Sequence, residues 1–416
     1  MHRLVILGSL YENIALVKLA KKKGYHTIVC DGYKDGPAKE FADKSYNIDV
    51  RDVDKIVEMC RAEEADGIIG SYSDIVFEKI TEIADRAGLK WYISPAMLKY
   101  YRDKLSEKEL LSKVDGANAP GYILLNDPSD IEMIKSIKYP VVVKPVDMWG
   151  SRGVRVAYDE KELRINIESA QKISGSKSIL LEELMTGFEY NSMAFVCNGK
   201  VHLLGIGDRE KNTHKGKEIP IVNRIVYPAR KADELWDEVL NIMQQYVELT
   251  GQNSGVICMQ FFYDDKGIHP IEMVGRILGY EHELITMCSG LSIEELLLSY
   301  VYDESRIPSL LDGFNVMKDR YAAGLYFTGI QGKKIKDQSS LYSLSSRALV
   351  KDHLYFYKEG EVIDNTSEKS YYARLYVQAS TREELDEECR HIFDEINILA
   401  DDGTSVLPPH CMEDRR

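Results

Sequence analysis

The sequence lacks any long apolar run. Hydrophobic residues make up 44% of its 416 residues, which is ordinary for a globular protein. Its longest apolar stretches have the length of a strand rather than the ~20 residues that cross a bilayer. The first ten residues, MHRLVILGSL, have neither the long apolar region nor the small-residue cleavage site of a signal peptide. We therefore expect no membrane partner, and we interpret this stretch as a first β-strand.

Paired cysteine motifs and an excess of basic charge are also absent. The seven cysteines form no CxxC pair, and the formal net charge is −14. An odd number of scattered cysteines favours reduced thiols and a cytoplasmic location. Nucleic acid is not an expected partner, because binding its phosphates requires a basic face. A small anionic ligand in a local basic pocket remains compatible with this charge.

A dinucleotide-binding fingerprint is missing as well. Residues 1–100 alternate between strand and helix patterns, which predicts an α/β domain with a parallel sheet and right-handed crossovers. The first strand is followed by Gly8-Ser9-Leu10-Tyr11 instead of the GxGxxG that binds a dinucleotide. The missing fingerprint disfavours an NAD-dependent dehydrogenase.

Beyond residue 100 the pattern changes to mixed helices and hairpins. Residues 102–114 have the spacing of one charged helix. Hairpin turns are predicted at Asn198-Gly199 and at 264–267. Residues 208–230 are polar, and we interpret them as irregular. The C-terminal part contains two further strand patterns and a final helix, predicted over 383–398.

The stretch VVVKPVDMWGSRG, residues 141–153, joins a β-branched run to a lysine and a glycine loop. A lysine that ends a strand can direct its ammonium at a phosphate, and glycines let backbone N–H groups fold over the same anion. The candidate residues are Lys144, Gly150, Ser151 and Gly153. The competing interpretation is a surface lysine before an ordinary β-turn.

A second stretch, LEELMTGFEY at 181–190, ends a strand in two glutamates and then turns at a glycine. The backbone of such an extended segment can pair with the edge of an adenine, and a carboxylate beyond the turn can accept both ribose hydroxyls. The candidates are Glu182, Glu183, Met185 and Glu189. The competing interpretation is a solvated acidic strand end.

A third element is the pair Gln260 and Glu272, on the two arms of the second predicted hairpin. We expect these side chains to lie near each other on one face of a sheet. Oxygen ligands on rigid strands suit Mg²⁺ that is held jointly with phosphates. A polar cross-strand pair without a metal is the alternative.

The order of these elements resembles the ATP-grasp superfamily, which includes biotin carboxylase and the carbamoyl phosphate synthetases. The sequence runs from Asp103-Lys104 through YPVVVKP and its glycine loop to EELxxGxE, and then to Gln260, Glu272 and Arg276. The resemblance implies a parallel-sheet N-terminal domain, a central ATP-grasp α+β domain with a glycine-loop lid, and a small C-terminal α+β domain. The corresponding ranges are 1–100, 101–305 and 306–416.

The resemblance implies roles for the nucleotide-contacting residues. Lys144 would contact the adenine and the phosphates, and Lys104 would match the family's earlier nucleotide-binding lysine. The glycine loop would close over the phosphates. The Glu183 carbonyl and the Met185 N–H would meet the adenine edge. Glu189 would bind the ribose.

The resemblance also implies ATP and Mg²⁺, or Mn²⁺, as cofactors. Glu272 would bridge two metal ions, Gln260 would stand where many members have an acid, and Arg276 would stabilise a phosphorylated intermediate. Val274 departs from the family, which has asparagine at this position. Valine cannot ligate a metal, so Glu272 is left as the one carboxylate of the set.

The function that the resemblance implies is an ADP-forming ligase, which converts a small carboxylate to an acyl phosphate and couples it to an amine. The polar stretch with His214, Arg224 and Arg230 lies where such enzymes place substrate-contacting loops. Expected partners are the small-molecule carboxylate and amine, with a C-terminal element that contributes to a homodimer. Two alternatives stay open. One is a bicarbonate-activating carboxylase subunit, in which Glu281-His282 would take part, and the other is an inactive nucleotide-binding protein, which the Val274 departure favours.

Overall fold

The computed structural model describes residues 1–70, 72–127, 137–147, 153–175, 178–212, 221–312, 320–366 and 369–413. Its first part contains the predicted parallel sheet, in the order β3-β2-β1-β4. Leu4 and Ile6 pack into one core cluster, and Val5 and Leu7 pack into another on the opposite face. Such two-sided burial is expected of a parallel sheet with helices on both faces. The strands are β1 Arg3–Leu7, β2 His26–Cys30, β3 Lys44–Tyr46 and β4 Gly67–Ile69.

The helices of this part start and stop at recognisable signals. The Ser73 side chain caps the third helix by accepting a hydrogen bond from the backbone of Val76, and Gly88 ends it with φ 70°. Short 3₁₀ helices, Tyr11–Asn13 and Pro37–Phe41, follow β1 and β2. The α-helices are α1 Ile14–Lys22, α2 Val53–Ala62 and α3 Asp74–Ala87.

The charged helix predicted over 102–114 is in fact divided between two helices. Helix α4, Pro95–Arg102, ends before Asp103, and helix α5, Lys104–Leu111, begins directly after it. The Asp103 side chain accepts a hydrogen bond from the backbone of Ser106 and thereby caps α5. An N-cap residue has non-helical dihedral angles, so the cap that starts α5 also interrupts the predicted helix.

A small antiparallel sheet follows, in the order β5-β8-β6-β7. Helix α6, Glu160–Ile173, packs on it and is capped by Asp159. Val141 and Val143 face this helix and meet Leu163 and Ile167 in a core cluster of their own. The strands are β5 Tyr122–Leu125, β6 Val141–Pro145, β7 Arg155–Ala157 and β8 Ile179–Glu183.

Within the described residues, eight strands form one antiparallel sheet in the order β13-β12-β9-β10-β11-β14-β17-β16. These strands are β9 Phe188–Cys197, β10 Lys200–Lys211, β11 Val222–Tyr227, β12 Ser254–Asp264, β13 Gly267–Val274, β14 Tyr321–Phe327, β16 Val350–Tyr355 and β17 Ala373–Ala379. A separate pair consists of β15 Ile335–Asp337 and β18 Leu399–Ala400. The remaining described α-helices are α7 Ala232–Thr250, α8 His282–Ser289, α9 Ile293–Tyr302, α10 Ile307–Asp312, α11 Ser339–Ser345 and α12 Arg382–Glu395.

Both predicted hairpins are present, but the expectation of an irregular stretch over 208–230 was wrong for residues 208–211 and 222–227. Residues 213–220 lie outside the described residues. Asn198 and Gly199, both with positive φ, join β9 to β10. Residues 208–211 extend β10, and 222–227 form β11, which pairs with it. The polar residues of these strands are buried by charge pairing rather than exposed to water, so the polarity of the sequence concealed them.

Three of the described C-terminal strands, β14, β16 and β17, join the central sheet, and β15 and β18 form a separate pair. β11 pairs with β14 in an antiparallel ladder from Arg224–Leu325 to Tyr227–Ala322. The sheet therefore continues across the predicted boundary between 305 and 306. The three domain ranges stay a prediction. The hydrogen-bond ladder between β11 and β14 joins the second predicted domain to the third.

No single helix in the described parts of the chain is long and apolar enough to cross a membrane. Helices α8 and α9 reach that length and composition only when counted together, and they are bent by 101°.

Gly255 provides a test of the contact between the first and central parts of the chain. It has φ +95°, and a Cβ there would lie 2.2 Å from the ring of Tyr92, whose hydroxyl donates to the Gly275 carbonyl at 2.9 Å. Gly251 has φ +73° with no atom within 4 Å of such a Cβ. We expect Gly251→Ala to cost about 1 kcal/mol for its backbone alone. Gly255→Ala should cost at least about 2 kcal/mol more, because overpacking is added.

Thermal and chemical denaturation of the two variants measures this difference. Equal losses of stability would show that the Tyr92 contact does not constrain this position.

Candidate active site

Four residues predicted for the site gather around the start of α5. Lys104 is the first residue of that helix, and its ammonium donates to the carbonyls of Pro145 at 3.1 Å and Val146 at 3.3 Å. Burial lowers the pKa of Lys104, and Lys144 lowers it further, whereas Glu272 and Glu182 raise it. Helix α5, strand β6 and strand β13 therefore bring Lys104, Lys144 and Glu272 within electrostatic range of one another.

Glu182 is held between two lysines, one of which the sequence analysis missed. Lys144 forms an ion pair with it, and Lys108 forms another at 2.9 Å. Burial would raise the pKa of Glu182, but the two lysines outweigh burial and lower it. Lys108 lies four residues after Lys104, and this i, i+4 spacing places both on one face of α5, which is the signal that could have identified it.

A cavity of about 350 Å³ adjoins Lys104. Both cationic and anionic side chains line it, including Arg102, Asp103, Lys104 and Asp147. Asp147, two residues after β6, accepts a hydrogen bond from the backbone of Gly175 at 2.8 Å. The lining thus provides charges of both signs beside the predicted phosphate-contacting lysine.

The glycine loop is only partly within the described structure. Gly150 and Ser151 lie outside the described residues, so their roles stay predictions. Gly153 has φ +75°, and a Cβ there would lie 2.4 Å from Ile173 and 2.9 Å from Pro145. A side chain would therefore be strained at this position, which explains the requirement for glycine at the end of the loop.

The predicted adenine-contacting segment connects β8 to β9. Glu183 is the last residue of β8 and donates its backbone N–H to the Gly121 carbonyl at 3.0 Å. Met185 is partly exposed in the irregular connection. Gly187 then turns the chain with φ +97°, where a Cβ would lie 2.6 Å from the Tyr263 carbonyl oxygen.

Glu189, the predicted ribose carboxylate, is already surrounded by donors. Arg209 and Lys211 of β10 form ion pairs with it, and the Gln260 amide donates to it. Burial would raise the pKa of Glu189, but Arg209 and Lys211 lower it overall. Arg209 and Lys211 belong to the stretch that was predicted to be irregular. Their alternation on β10 would have been the signal for a shared face.

Gln260 and Glu272 lie directly opposite each other in the β12–β13 ladder, as expected. The amide nitrogen of Gln260 donates to Glu189, so its amide oxygen is the atom left to face a cation. Val274, on the same face of β13 as Glu272, is buried in the core and 5% exposed. Among the described residues, no group of three or more His, Cys, Asp or Glu side chains could hold a metal ion. The pair offers one carboxylate and one amide oxygen, a donor set that fits a metal shared with phosphates.

Arg276 is engaged in an ion pair with the N-terminal part of the chain. Its Nε and Nη2 donate to the two carboxylate oxygens of Asp74 at 2.8 and 3.0 Å. Arg102 reaches the same carboxylate at 3.1 Å. Asp74 begins helix α3, and the bidentate pair fixes the plane of the guanidinium. Asp74 was not anticipated from the sequence.

Glu281 forms a buried hydrogen-bonded group beside this site. It accepts hydrogen bonds from Asn191 Nδ2 at 2.6 Å and from the Tyr227 hydroxyl at 2.8 Å. Burial raises the pKa of Glu281 to about 7, although Arg209 and the two hydrogen bonds lower it. This carboxyl can therefore change its charge near neutral pH.

The proposed substrate-contacting residues of 208–230 are not brought to this site. Arg224 is fully buried and pairs with Glu210 at 3.3 Å and with Asp386. Arg230 also pairs with Asp386, on helix α12. These arginines attach the last helix to the central sheet, and their assignment to substrate stays a prediction. His214 lies outside the described residues.

A family comparison agrees with this geometry. Residues 137–282 match the family model of the ATP-grasp domain. The central part of this chain is an ATP-grasp domain. The match includes Lys144, the segment from β8 into β9, Gln260, Glu272 and Arg276, and it confirms the resemblance predicted from the order of the motifs.

Relatives of this chain are distant. The carbamoyl phosphate synthase large chain of Clostridium beijerinckii is 22% identical over 318 residues, which cover 74% of this chain and 29% of that protein. The matches span between 24% and 49% of the length of the four curated relatives compared, so the chain corresponds to a part of those proteins.

Solved structures resemble nearly the whole chain. The L-amino acid ligase from Bacillus licheniformis has a TM-score of 0.82 and 20% identity, over 96% of this chain and 99% of that one. The biotin carboxylase domain dimer of Hydrogenobacter thermophilus 2-oxoglutarate carboxylase, solved with MgADP, ADP and bicarbonate, has a TM-score of 0.76 and 19% identity. The match covers 96% of this chain and 91% of that domain. At these identities the likeness establishes the ATP-grasp ligase fold, with its parallel N-terminal sheet and antiparallel central sheet.

The raised pKa of Glu281 predicts a pH-dependent stability. The folded chain holds this proton with a pKa of about 7, against an ordinary value of 4.5. Ionisation therefore destabilises the fold as the pH rises from about 4.5 to about 7, by an amount of the order of 3 kcal/mol. Glu281→Gln cannot ionise. Its melting temperature relative to that of the unmodified protein should be higher at pH 8 than at pH 5.

Calorimetry at both pH values tests this expectation. Glu387→Gln, which alters an exposed glutamate of α12, is the matched control and should show the same difference at both. A pH-independent effect of Glu281→Gln would contradict the assignment.

Proposed function

We propose that this protein is an ATP-dependent, ADP-forming ligase that couples a small carboxylate to an amine. The observation that carries the proposal is one continuous network of side chains. Glu189 joins Gln260, Gln260 lies opposite Glu272, and Glu272 acts on Lys104 together with Lys144. These are the residues proposed to contact ribose, metal and phosphates, and each neighbours the next in that order.

The reaction class follows from the chemistry of such a site. A carboxylate oxygen attacks the γ-phosphorus of ATP and ADP leaves. The amine nitrogen then attacks the acyl carbon, a C–N bond forms, and phosphate leaves with release of a proton. Side chains form no covalent bond to the substrate in this scheme, so catalysis comes from positioning the reactants and neutralising their charge.

Each residue has a proposed part in this scheme. Lys104 and Lys144 neutralise phosphate charge, and Glu189 positions the ribose after exchange of its present partners. Arg276, whose plane Asp74 fixes, stabilises the phosphorylated carboxylate. Mg²⁺ or Mn²⁺, held by Gln260 and Glu272 together with ATP, would supply further charge neutralisation.

Two of the similar structures support parts of this proposal. One is an L-amino acid ligase, and the other contains MgADP and bicarbonate in a dimer. By analogy we propose ATP and a divalent metal as cofactors, small-molecule substrates, and a homodimer as the assembly to test. All seven cysteines are free thiols, which supports a cytoplasmic location.

A nucleotide-binding protein without ligase activity is the second candidate. Val274 is buried where it offers no oxygen, and Glu272 is the one carboxylate proposed for the metals. Weak metal binding would then leave a nucleotide pocket without turnover.

Lys144→Ala should weaken ATP binding by about tenfold or more, because a charged hydrogen bond to phosphate is removed, worth about 1.5–3 kcal/mol. Isothermal titration calorimetry with ATP measures the change. Lys161→Ala, at an exposed lysine of α6, is the matched control and should bind ATP normally. If a folded Lys144→Ala protein retains full affinity, Lys144 does not contact the phosphates.

Glu272→Gln should lower ADP release by at least about 100-fold, because the carboxylate between the metals and phosphates is lost. ADP release is first measured over a panel of small carboxylates and amines, with bicarbonate included, and then as a Mg²⁺ titration at fixed ATP. Asp265→Asn, at the exposed turn of the same hairpin, is the control. Normal turnover of Glu272→Gln would rule out the metal assignment. ATP binding by the wild type without any ADP release would favour the second candidate.

A further inference from the structure

Strand β13, which carries Glu272, is an edge strand of the central sheet. Within the described parts of the chain it pairs with β12 on one side, and no strand pairs with its other side. The backbone groups on the open side of an edge strand need partners from outside the sheet. Helix α5 contacts this strand, and Leu110 and Leu111 of the helix are buried in the same core cluster as Met273. The helix is therefore placed to supply such partners.

Glu107 of α5 is one of them. Its carboxylate accepts a hydrogen bond from the backbone N–H of Met273, the residue that follows Glu272. Glu107 is 6% exposed, so little water reaches this contact. A buried donor that loses its acceptor carries the full cost of its desolvation. Because the hydrogen bond is made to the backbone itself, it fixes the path of β13 at the point where the Glu272 side chain leaves the strand.

Glu107 also lies between the groups proposed for phosphate and for metal. Lys104 is three residues earlier on α5, a spacing that places both side chains on one face of the helix. Burial lowers the pKa of Lys104, and Glu272 and Glu107 partly offset this effect. Burial raises the pKa of Glu107, and Glu272 raises it further, whereas the N–H of Met273 lowers it. Lys104 and Glu272 are therefore both within electrostatic range of Glu107.

The carboxylate of Glu107 could act through its charge or through its hydrogen bond. Its ionised form and that of Glu272 repel each other, since each carries a negative charge. A role as a bare negative charge would not require the contact with Met273, whereas a role in fixing β13 does. The hydrogen bond is therefore the interaction that accounts for the position of this side chain.

We propose that Glu107 is a positioning residue that couples the metal site to the phosphate site. By holding the backbone of Met273, it fixes Glu272 of β13 relative to Lys104 of α5, so that a divalent metal and the phosphates of ATP bind together. The inference rests on the roles proposed above for Glu272 and Lys104. Its signature is the ratio between ATP affinity with Mg²⁺ and without it, because Glu107 touches neither ligand in this scheme.

Isothermal titration calorimetry of the full chain measures ATP binding in excess Mg²⁺ and again with EDTA in its place. The unmodified protein should bind ATP at least about tenfold more tightly with Mg²⁺, the scale of one charged interaction. Glu107→Leu leaves the Met273 N–H without an acceptor and should reduce this preference to about twofold or less, with metal-free affinity changed by less than about threefold. Glu109→Leu, at an exposed glutamate of the same helix, is the matched control and should keep the full preference.

Two smaller changes separate the hydrogen bond from the charge. Glu107→Gln removes the charge but keeps an oxygen that reaches the Met273 N–H, so it should retain the preference for Mg²⁺. Glu107→Asp keeps the charge but is one methylene shorter, so it should lose most of the preference. An aspartate variant with the full preference would overturn the inference, and so would a glutamine variant without it. This pair decides the matter even if Glu107→Leu does not fold, and a folded Glu107→Leu protein with the full preference would also overturn the inference.

The same measurements separate this inference from the proposed ligase function. ATP binding that follows the expected pattern, without ADP release from any substrate, would support the role of Glu107 and contradict the ligase. ADP release by the unmodified protein, together with ATP binding that is indifferent to Mg²⁺ or to Glu107→Leu, would support the ligase and overturn the role of Glu107.

Discussion

The pairing of β9 with both β10 and β12 is the constraint on which the site depends. Tyr190 of β9 lies opposite Asp208 on one side and Phe261 on the other, so one strand sets the register of both hairpins. Side chains alternate along a strand, and a slip of one residue would move each of them to the other face. That register places Glu189 beside Arg209, Lys211 and Gln260.

The second feature of the site is the use of buried ion pairs to hold functional groups in place. Glu182 lies between Lys108 and Lys144, and Arg276 lies on Asp74. Buried pairs add little net stability, because the cost of removing charges from water offsets their attraction. Their effect here is positional, because each fixes a charged group at the border between two parts of the chain. Under the proposed function, ATP and a carboxylate would replace some of these contacts.

Local signals in the sequence were sufficient for much of this protein. The parallel N-terminal sheet, the turns at Asn198-Gly199 and 264–267, and the Gln260–Glu272 pair all follow from alternation and turn chemistry, which act over a few residues. The order of the motifs was sufficient for the ATP-grasp family. The roles of the individual site residues stay predictions.

Tertiary structure alone decided the remaining features. The addition of β14, β16 and β17 to the central sheet, the burial of Arg224 on Asp386 and the pairing of Arg276 with Asp74 join residues far apart in sequence. A polar segment such as 208–211 becomes a buried strand only when distant charges neutralise it. No local sequence pattern identifies those partners, because the energy of a charge pair depends on which distant residue lies beside it. Only the folded chain determines which residue that is.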